Sequence, residues 1–384
     1  LATRKNILII KSKFSESFFL LGSSIKGALM QILHILNHVQ EIGNGIVNVA
    51  VDLACLQAQA GHEVGVVSAG GEYEELLARN GARHFKLNQA RKPINLLKAA
   101  SHYRAIAQEF QPDIVHAHMM TGVVLAYALR AGFRYALVST VHNEFQRSAV
   151  FMGLADRVIA VSHAVAQSMA RRGIPQKKLQ VISNGTLGSP RTRQLTEYQP
   201  LPLQRPAIAT VAGMYKRKGI AELIDAFAQI ALDFPQAHLY LVGNGPDRAI
   251  FEAQAQSTPV SDRIHFEGFQ PEPQRYLLAT DIFVLASHRD PSPLVIPEAR
   301  EAGCGIIASD VDGIPEALDG GQAGLLVPPA DSHALATALV QLLSDPKVLH
   351  RWKDQAQHNL RRLNVARVNE ETSGVYRELV KHHD

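Results

Sequence analysis

A chain of 384 residues, 46% hydrophobic and 19% charged, is too long for one ordinary core and too apolar for a disordered or collagen-like polymer. Its formal charge of +4 is modest for this length, which argues against a nucleic-acid partner, and no unbroken apolar run reaches the roughly 18 residues of a membrane span. The two cysteines, Cys55 and Cys304, stand far apart and outside any Cys-x-x-Cys pattern, as expected of buried thiols in a reducing, cytoplasmic setting.

Residues 1–29 do not share the pattern of the remaining chain and read as a peripheral extension, with an additional strand at Asn6-Ile7-Leu8-Ile9-Ile10. The apolar stretch Phe18-Phe19-Leu20-Leu21 is too short for a signal-peptide core. Regular alternation begins at Met30. Short β-branched runs at 31–36, 63–67, 113–116, 136–141 and 157–161 are separated by helical stretches at 47–60 and 95–110. Near-continuous apolar strands alternating with helices imply a parallel sheet covered on both faces.

A Pro-rich, polar stretch at 189–206 without periodicity reads as a linker. Strands then resume at 208–212, 238–242, 263–266, 281–285 and 305–308, with helices at 334–343 and from 348 to the end. The expected fold is α/β, two Rossmann-like doubly wound domains facing a cleft. The first domain spans 30–188 and the second 207–365, and the closing helix, 366–384, returns to the first. Ligands of such sheets lie at the carboxyl ends of the strands, where the strand order reverses.

Four strand-end loops hold the residues able to do chemistry. In Glu41-Ile42-Gly43-Asn44-Gly45, two glycines let backbone approach a ligand at a helix start, although the full G-x-G-x-x-G spacing is absent; a tight turn alone is the other reading. His116-Ala117-His118 ends a strand. A metal pair lacks a third ligand at useful spacing, so His118 reads as a substrate contact or a core histidine. Lys216-Arg217-Lys218-Gly219 crowds three cations at a helix start, which suits a bound diphosphate or a solvated turn. Glu298, after Asp290-Pro291-Ser292-Pro293-Leu294-Val295-Ile296-Pro297, could hold two ribose hydroxyls or simply favour the helix dipole. The acidic Asp310-Val311-Asp312 is read as coincidence, and no metal is assigned.

At these residues the chain resembles glycosyltransferase family 4, retaining enzymes of the GT-B fold. The likeness runs from Met30 to about Asp345. It is carried by Gly61-His62-Glu63-Val64, Val181-Ile182-Ser183-Asn184-Gly185 and Leu241-Val242-Gly243-Asn244-Gly245-Pro246. Pro297-Glu298-Ala299, Asp312-Gly313-Ile314-Pro315-Glu316 and Gly324-Leu325-Leu326-Val327 continue it in family order.

The resemblance implies transfer of a sugar from a nucleotide-sugar, held in the second domain, to an acceptor held mainly in the first. Glu298 would grip the donor ribose, Lys218 the diphosphate, and Asp290 and His118 would stand beside the donor sugar. Gly43 and Gly45 would face the diphosphate and acceptor. It implies no metal and no other cofactor.

Three departures stand out. Met214 replaces an arginine common after Gly213, so Lys216 or Arg217 would supply that charge. Asp290 replaces a longer glutamate, and Pro291 and Pro293 leave only Ser292, Leu294 and Val295 as amide donors. A nucleotide-sugar epimerase and a degenerate transferase serving as a binding subunit are the rival functions. The run Arg171, Arg172, Lys177, Lys178, Arg191, Arg193 has no acidic residue within it. It reads as a solvated face, or else as a patch for an anionic acceptor or for an anionic membrane to which the protein would bind peripherally.

Overall fold

The structure, a computed structural model, describes residues 29–89 and 93–381. The expected extension through residue 28, with its strand at Asn6 to Ile10, lies outside the described residues. The described strands form two parallel sheets. The first contains β1 (Gln31–Ile35), β2 (Glu63–Ser68), β3 (Arg83–Lys86), β4 (Ile114–Ala117), β5 (Ala136–Val141), β6 (Arg157–Ala160) and β7 (Leu179–Val181), in the order β3-β2-β1-β4-β5-β6-β7. The second contains β8 (Ala207–Val211), β9 (His238–Val242), β10 (Ile264–Gly268), β11 (Ile282–Leu285), β12 (Gly305–Ser309) and β13 (Leu325–Val327), in the order β10-β9-β8-β11-β12-β13.

Central strands such as β4, β5, β11 and β12 are buried along their whole length and are mostly apolar, as strands covered on both faces require, with His116, Ser139, Thr140 and Ser309 as buried polar members. Sequence periodicity misses β3, β7 and β13. All three are sheet edges, where one side meets solvent and the apolar run is diluted: Arg-His-Phe-Lys in β3 has no fully buried residue. In each sheet the order reverses once, between β1 and β4 and between β8 and β11. Loops leaving these neighbours diverge and open a crevice.

The segment from 348 to the end is not one helix. It breaks into Pro346–Ala356, a turn at Leu360–Leu363, and Val365–Val380. Asn359 takes a left-handed conformation at φ 56°, and Asn364 caps the last helix by accepting from the Ala366 amide at 2.7 Å. The break lets the chain cross back. Thr186 and Leu187 donate their amides to the Leu363 carbonyl, and the Val365 amide donates to Leu187.

Val368, Val375, Tyr376 and Leu379 then share one core cluster with Met30, Ile32, Ile114 and Val138 of the first sheet. Tyr376 is fully buried and its hydroxyl lies 2.6 Å from His116 Nδ1. Tyr376→Ala should therefore cost about 3–5 kcal/mol of stability by cavity formation. Chemical denaturation checks this, and a loss below about 1 kcal/mol would mean the last helix is not integral to the first domain.

Candidate active site

The second sheet builds its crevice around one close approach. Gly219 ends the turn Lys216–Lys218 at φ 67°, and a Cβ there would stand 1.9 Å from the Ala286 carbonyl oxygen. Only glycine fits, on both counts. The approach sets the loop after β8 against the loop after β11, so Lys218 Nζ reaches Asp290 Oδ2 at 2.5 Å, both side chains nearly buried. Asp312 Oδ2 fixes the second loop by accepting from the Asp290 amide at 2.9 Å and from Arg289 Nε at 2.7 Å. The acidic Asp310-Val311-Asp312 thus spends its last carboxylate on loop structure.

Glu298 sits in the first turn of the helix Val295–Glu301, whose other face is pinned by the fully buried Arg300. Arg300 donates to the carbonyls of Ala317, Ala356 and His358 and to Asp319.

Lys218, Arg217, Asp290, Ser292, Leu294, Val295 and Glu298 all line one cavity of about 700 Å³ between the domains. Gly43 and Gly45 line its opposite wall. Gly43 has φ 69°, Asn44 caps the helix Gly45–Gln59 by accepting from the Ile46 amide, and a Cβ on Gly45 would come 3.2 Å from the Leu294 side chain. The turn thus favours glycine at position 43, and Gly45 leaves room for the Leu294 side chain of the second domain.

The structure separates the two cations offered in place of the missing arginine. Lys216 is exposed and off the cavity wall, with its amide bonded to Asp247; the available extra cation is Arg217, whose guanidinium lies over the rings of Phe145 and Tyr215 at 5.5 and 5.6 Å. Met214 is fully buried in the domain core and presents nothing to the cleft.

His118 is also off the large cavity. It is 2% exposed and lies one hydrogen bond behind His142, which follows β5 and does line the cavity. The missing third imidazole is present as well: His34 on β1 stands with His116 and His118, their nearest ring nitrogens within 4.8 Å of one another. These nitrogens already have protein partners. His116 faces Tyr376 and Thr140, while His142 Nε2, His118, His34 and Gln57 form a continuous chain with links of 3.2, 3.0 and 2.8 Å.

The Gln57 Oε1 end can only accept, and each neutral ring carries one proton. So His34 donates to Gln57, His118 to His34 and His142 to His118, leaving His142 Nδ1 as an acceptor. Burial pushes His142 down to about 3 and His34 to about 4, and holds His116 and His118 well below the usual histidine range, so the whole chain is neutral near pH 7. His142 could have been weighed from its place after β5, but one sequence gives no sign of which histidine turns inward.

Residues 43–186 match the model of the Glycosyltransferase Family 4 domain, and residues 193–359 match the model of Glycosyl transferases group 1. The chain is 26% identical over 341 residues to the N-acetyl-alpha-D-glucosaminyl L-malate synthase of Bacillus anthracis, covering 83% of this chain and 89% of that one. It is 22% identical over 359 residues to the phosphatidyl-myo-inositol mannosyltransferase of Mycolicibacterium smegmatis, covering 88% and 90%. Among solved structures, Anabaena HepE in complex with UDP-glucose superposes with a TM-score of 0.77 at 21% identity, covering 90% of this chain and 99% of that one. The chain belongs to the group 1 glycosyltransferases.

In this glycosyltransferase four of the six basic residues between 171 and 193 have partners within the protein, while Arg171 and Lys177 are exposed. Arg172 donates to the carbonyls of Glu144 and Gln146, and Lys178 to those of Gly153 and Ala155. Arg193 pairs with Glu272. Arg191, from the expected linker, is buried in a bidentate pair with Asp52 at 2.8 and 3.0 Å, and Ser189 donates to the same carboxylate at 2.7 Å. Among the described residues no helix is long and apolar enough to cross a membrane.

Burial pushes the Glu298 carboxyl up to about 7, with Arg191 opposing the rise and Asp52 and Glu301 adding to it. Arg191 lines the cavity together with Glu298 and is paired with the buried Asp52. Arg191→Met should cost about 3–5 kcal/mol by leaving Asp52 charged and unpaired in the interior. Thermal or chemical unfolding reads this, and an unchanged midpoint would deny the pair its structural role.

Proposed function

We propose that the protein transfers a glycosyl group from a UDP-sugar to a hydroxyl acceptor with retention of anomeric configuration, and without a metal. The observation that carries the reading is the convergence of Lys218, Arg217 and Glu298 on one cavity wall, opposite Gly43, Gly45 and His142. In the HepE structure the corresponding fold holds UDP-glucose. Here the ribose hydroxyls would donate to Glu298, and Lys218 would meet the diphosphate. Asp290 occupies one of the three N–H donors of Lys218 and leaves two for phosphate oxygens.

As the bond from the sugar to the diphosphate breaks, negative charge grows on the leaving phosphate. The largely buried Lys218 and the exposed Arg217 on the same wall stabilise that charge directly. Retention is what the resemblance to family 4 supports, and burial that holds His142 at about 3 makes that ring a poor general base for an inverting displacement at neutral pH. A leaving phosphate oxygen can take the proton instead, on the face the diphosphate departs from. NMR of the first product formed from a UDP-α-sugar should show an α linkage; a β product would refute retention. Activity unchanged by a chelator is expected, and its loss would refute metal independence.

Lys218→Ala and Glu298→Ala should each lower kcat/KM by about 100-fold or more, with circular dichroism that stays wild-type. Wild-type turnover in either would remove the site assignment.

The pH dependence has a defined sign. Glu298 is neutral below about 7 and ionised above it, and the carboxylate accepts from hydroxyls at both oxygens more strongly than the acid, one of whose oxygens carries a proton. Donor KM should rise as pH falls through about 7, and Glu298→Gln should flatten that rise. A KM indifferent to pH across this range would show that Glu298 does not hold the ribose.

A further inference from the structure

Beside the contact of Lys218 with Asp290, three loops from both domains are tied together by one arginine. Arg289 follows β11. Its Nε donates to Asp312 Oδ2 at 2.7 Å, in the loop after β12. Its Nη2 donates to Glu144 Oε1 at 3.0 Å, in the loop after β5 of the first domain, and its guanidinium lies 5.3 Å from the centre of the Phe145 ring. Among the described residues this is the one pairing of an arginine or lysine with a carboxylate that joins residues 30–188 to residues 207–365.

Each end of the link is held by its own domain. Asp312 has φ 51°, a left-handed conformation uncommon outside glycine, and its carboxylate accepts from Arg289 and from the Asp290 amide at 2.9 Å. The Gly313 amide donates to the Asp290 carbonyl at 3.1 Å. The group that aims Arg289 at the first domain therefore also fixes the backbone of Asp290, the partner of Lys218. In the first domain, Arg172 donates to the Glu144 and Gln146 carbonyls and so holds the loop backbone. The Glu144 side chain is buried and turns to Arg289, while its neighbours His142, Asn143 and Phe145 line the cavity.

A planar guanidinium suits this place. It offers separate N–H groups to carboxylates on two loops and a flat face to a ring, which the point charge of a lysine does not. Arg217 lies over the same Phe145 ring at 5.5 Å. Arg289 itself is not on the cavity wall, so its influence on the site passes through Asp312, Glu144 and Phe145.

We propose that Arg289 is a positioning residue of the transfer, the link through which an occupied donor site holds loop 142–146 of the first domain in place. The inference rests on the transferase reading above and adds the means by which its two walls are kept in register. A diphosphate on Lys218 and Arg217 steadies Asp290 and the Phe145 ring, and both lead to Arg289. By linkage, whatever steadies Arg289 steadies Glu144 and the loop that carries it. Misplacing reacting groups by about 1 Å costs on the order of a hundred-fold in rate, so a link remote from the reacting atoms still matters.

Hydrogen–deuterium exchange of the full chain, with and without UDP, is compared in the wild type, Arg289→Met, Glu144→Gln and Arg289→Lys. Arg289→Met takes the cation from Glu144, whereas Glu144→Gln leaves no carboxylate in need of one, so an effect common to both belongs to the link. In the wild type, UDP should slow exchange at 142–146, though less than in the loops of the second domain. In both variants that slowing should shrink at least about five-fold, while UDP affinity by calorimetry and the slowing at 212–219 and 290–298 stay within about three-fold of wild type. Arg289→Lys should restore part of it. With a donor and acceptor that the wild type turns over, kcat should drop about ten-fold or more in both variants with little change in donor KM.

Slowing at 142–146, or kcat, that is untouched in both variants would overturn the proposal. So would a loss of UDP affinity that matches the loss at 142–146, the mark of a site that has come apart as a whole. A wild type that does not bind UDP would instead strike the transferase reading itself.

Discussion

Two loops of the second domain are forced together by a glycine, and much of the site depends on that contact. Parallel strands whose order reverses between β8 and β11 send their following loops in diverging directions. Gly219 brings them back into touch, in a left-handed conformation and against the Ala286 backbone, where any side chain would collide. The contact places Lys218 against Asp290 and sets both beside the helix that carries Glu298. A cation for a diphosphate and a carboxylate for a pentose are thereby held on rigid backbone, with little left to order when the donor arrives.

The first domain is organised by a different constraint, the burial of four imidazoles. Taking them out of water disfavours their charged forms, and the line from His142 through His118 and His34 to Gln57, with His116 bonded to Tyr376 and Thr140, pairs every ring nitrogen but His142 Nδ1 while they stay neutral. The last helix closes this region from outside, with Tyr376 bonded to His116. A carboxy-terminal segment that follows the second domain in sequence therefore completes the core of the first. The domains are further joined by Arg289 to Glu144 and by Glu316 accepting from the His163 amide and from Ser183.

The alternating pattern made the doubly wound architecture legible, because buried central strands are mostly apolar. Edge strands such as β3 were not legible, since one solvated side erases the signal. In the site, backbone-dictated features were readable: glycines at Gly43 and Gly219, the cation at Lys218, the carboxylate at Glu298. Choices among neighbouring side chains were not. Lys216 and Arg217 are adjacent and alike in charge, yet only Arg217 turns to the cavity, held over two aromatic rings. His118 and His142 both follow strands of the same sheet, and which one faces the cleft depends on a chain of hydrogen bonds across three strands. Arg191, read as part of a solvated basic run, is buried because Asp52, far off in sequence, lies opposite it.

The central claim is that a nucleoside diphosphate is held by the second domain where the loops after β8 and β11 meet. Hydrogen–deuterium exchange with and without UDP measures this over the whole backbone. Slowed exchange should concentrate in residues 212–219 and 290–298, with the histidine-bearing strand ends of the first domain changing less. Protection confined to the first domain, with those two loops unaffected, would contradict it.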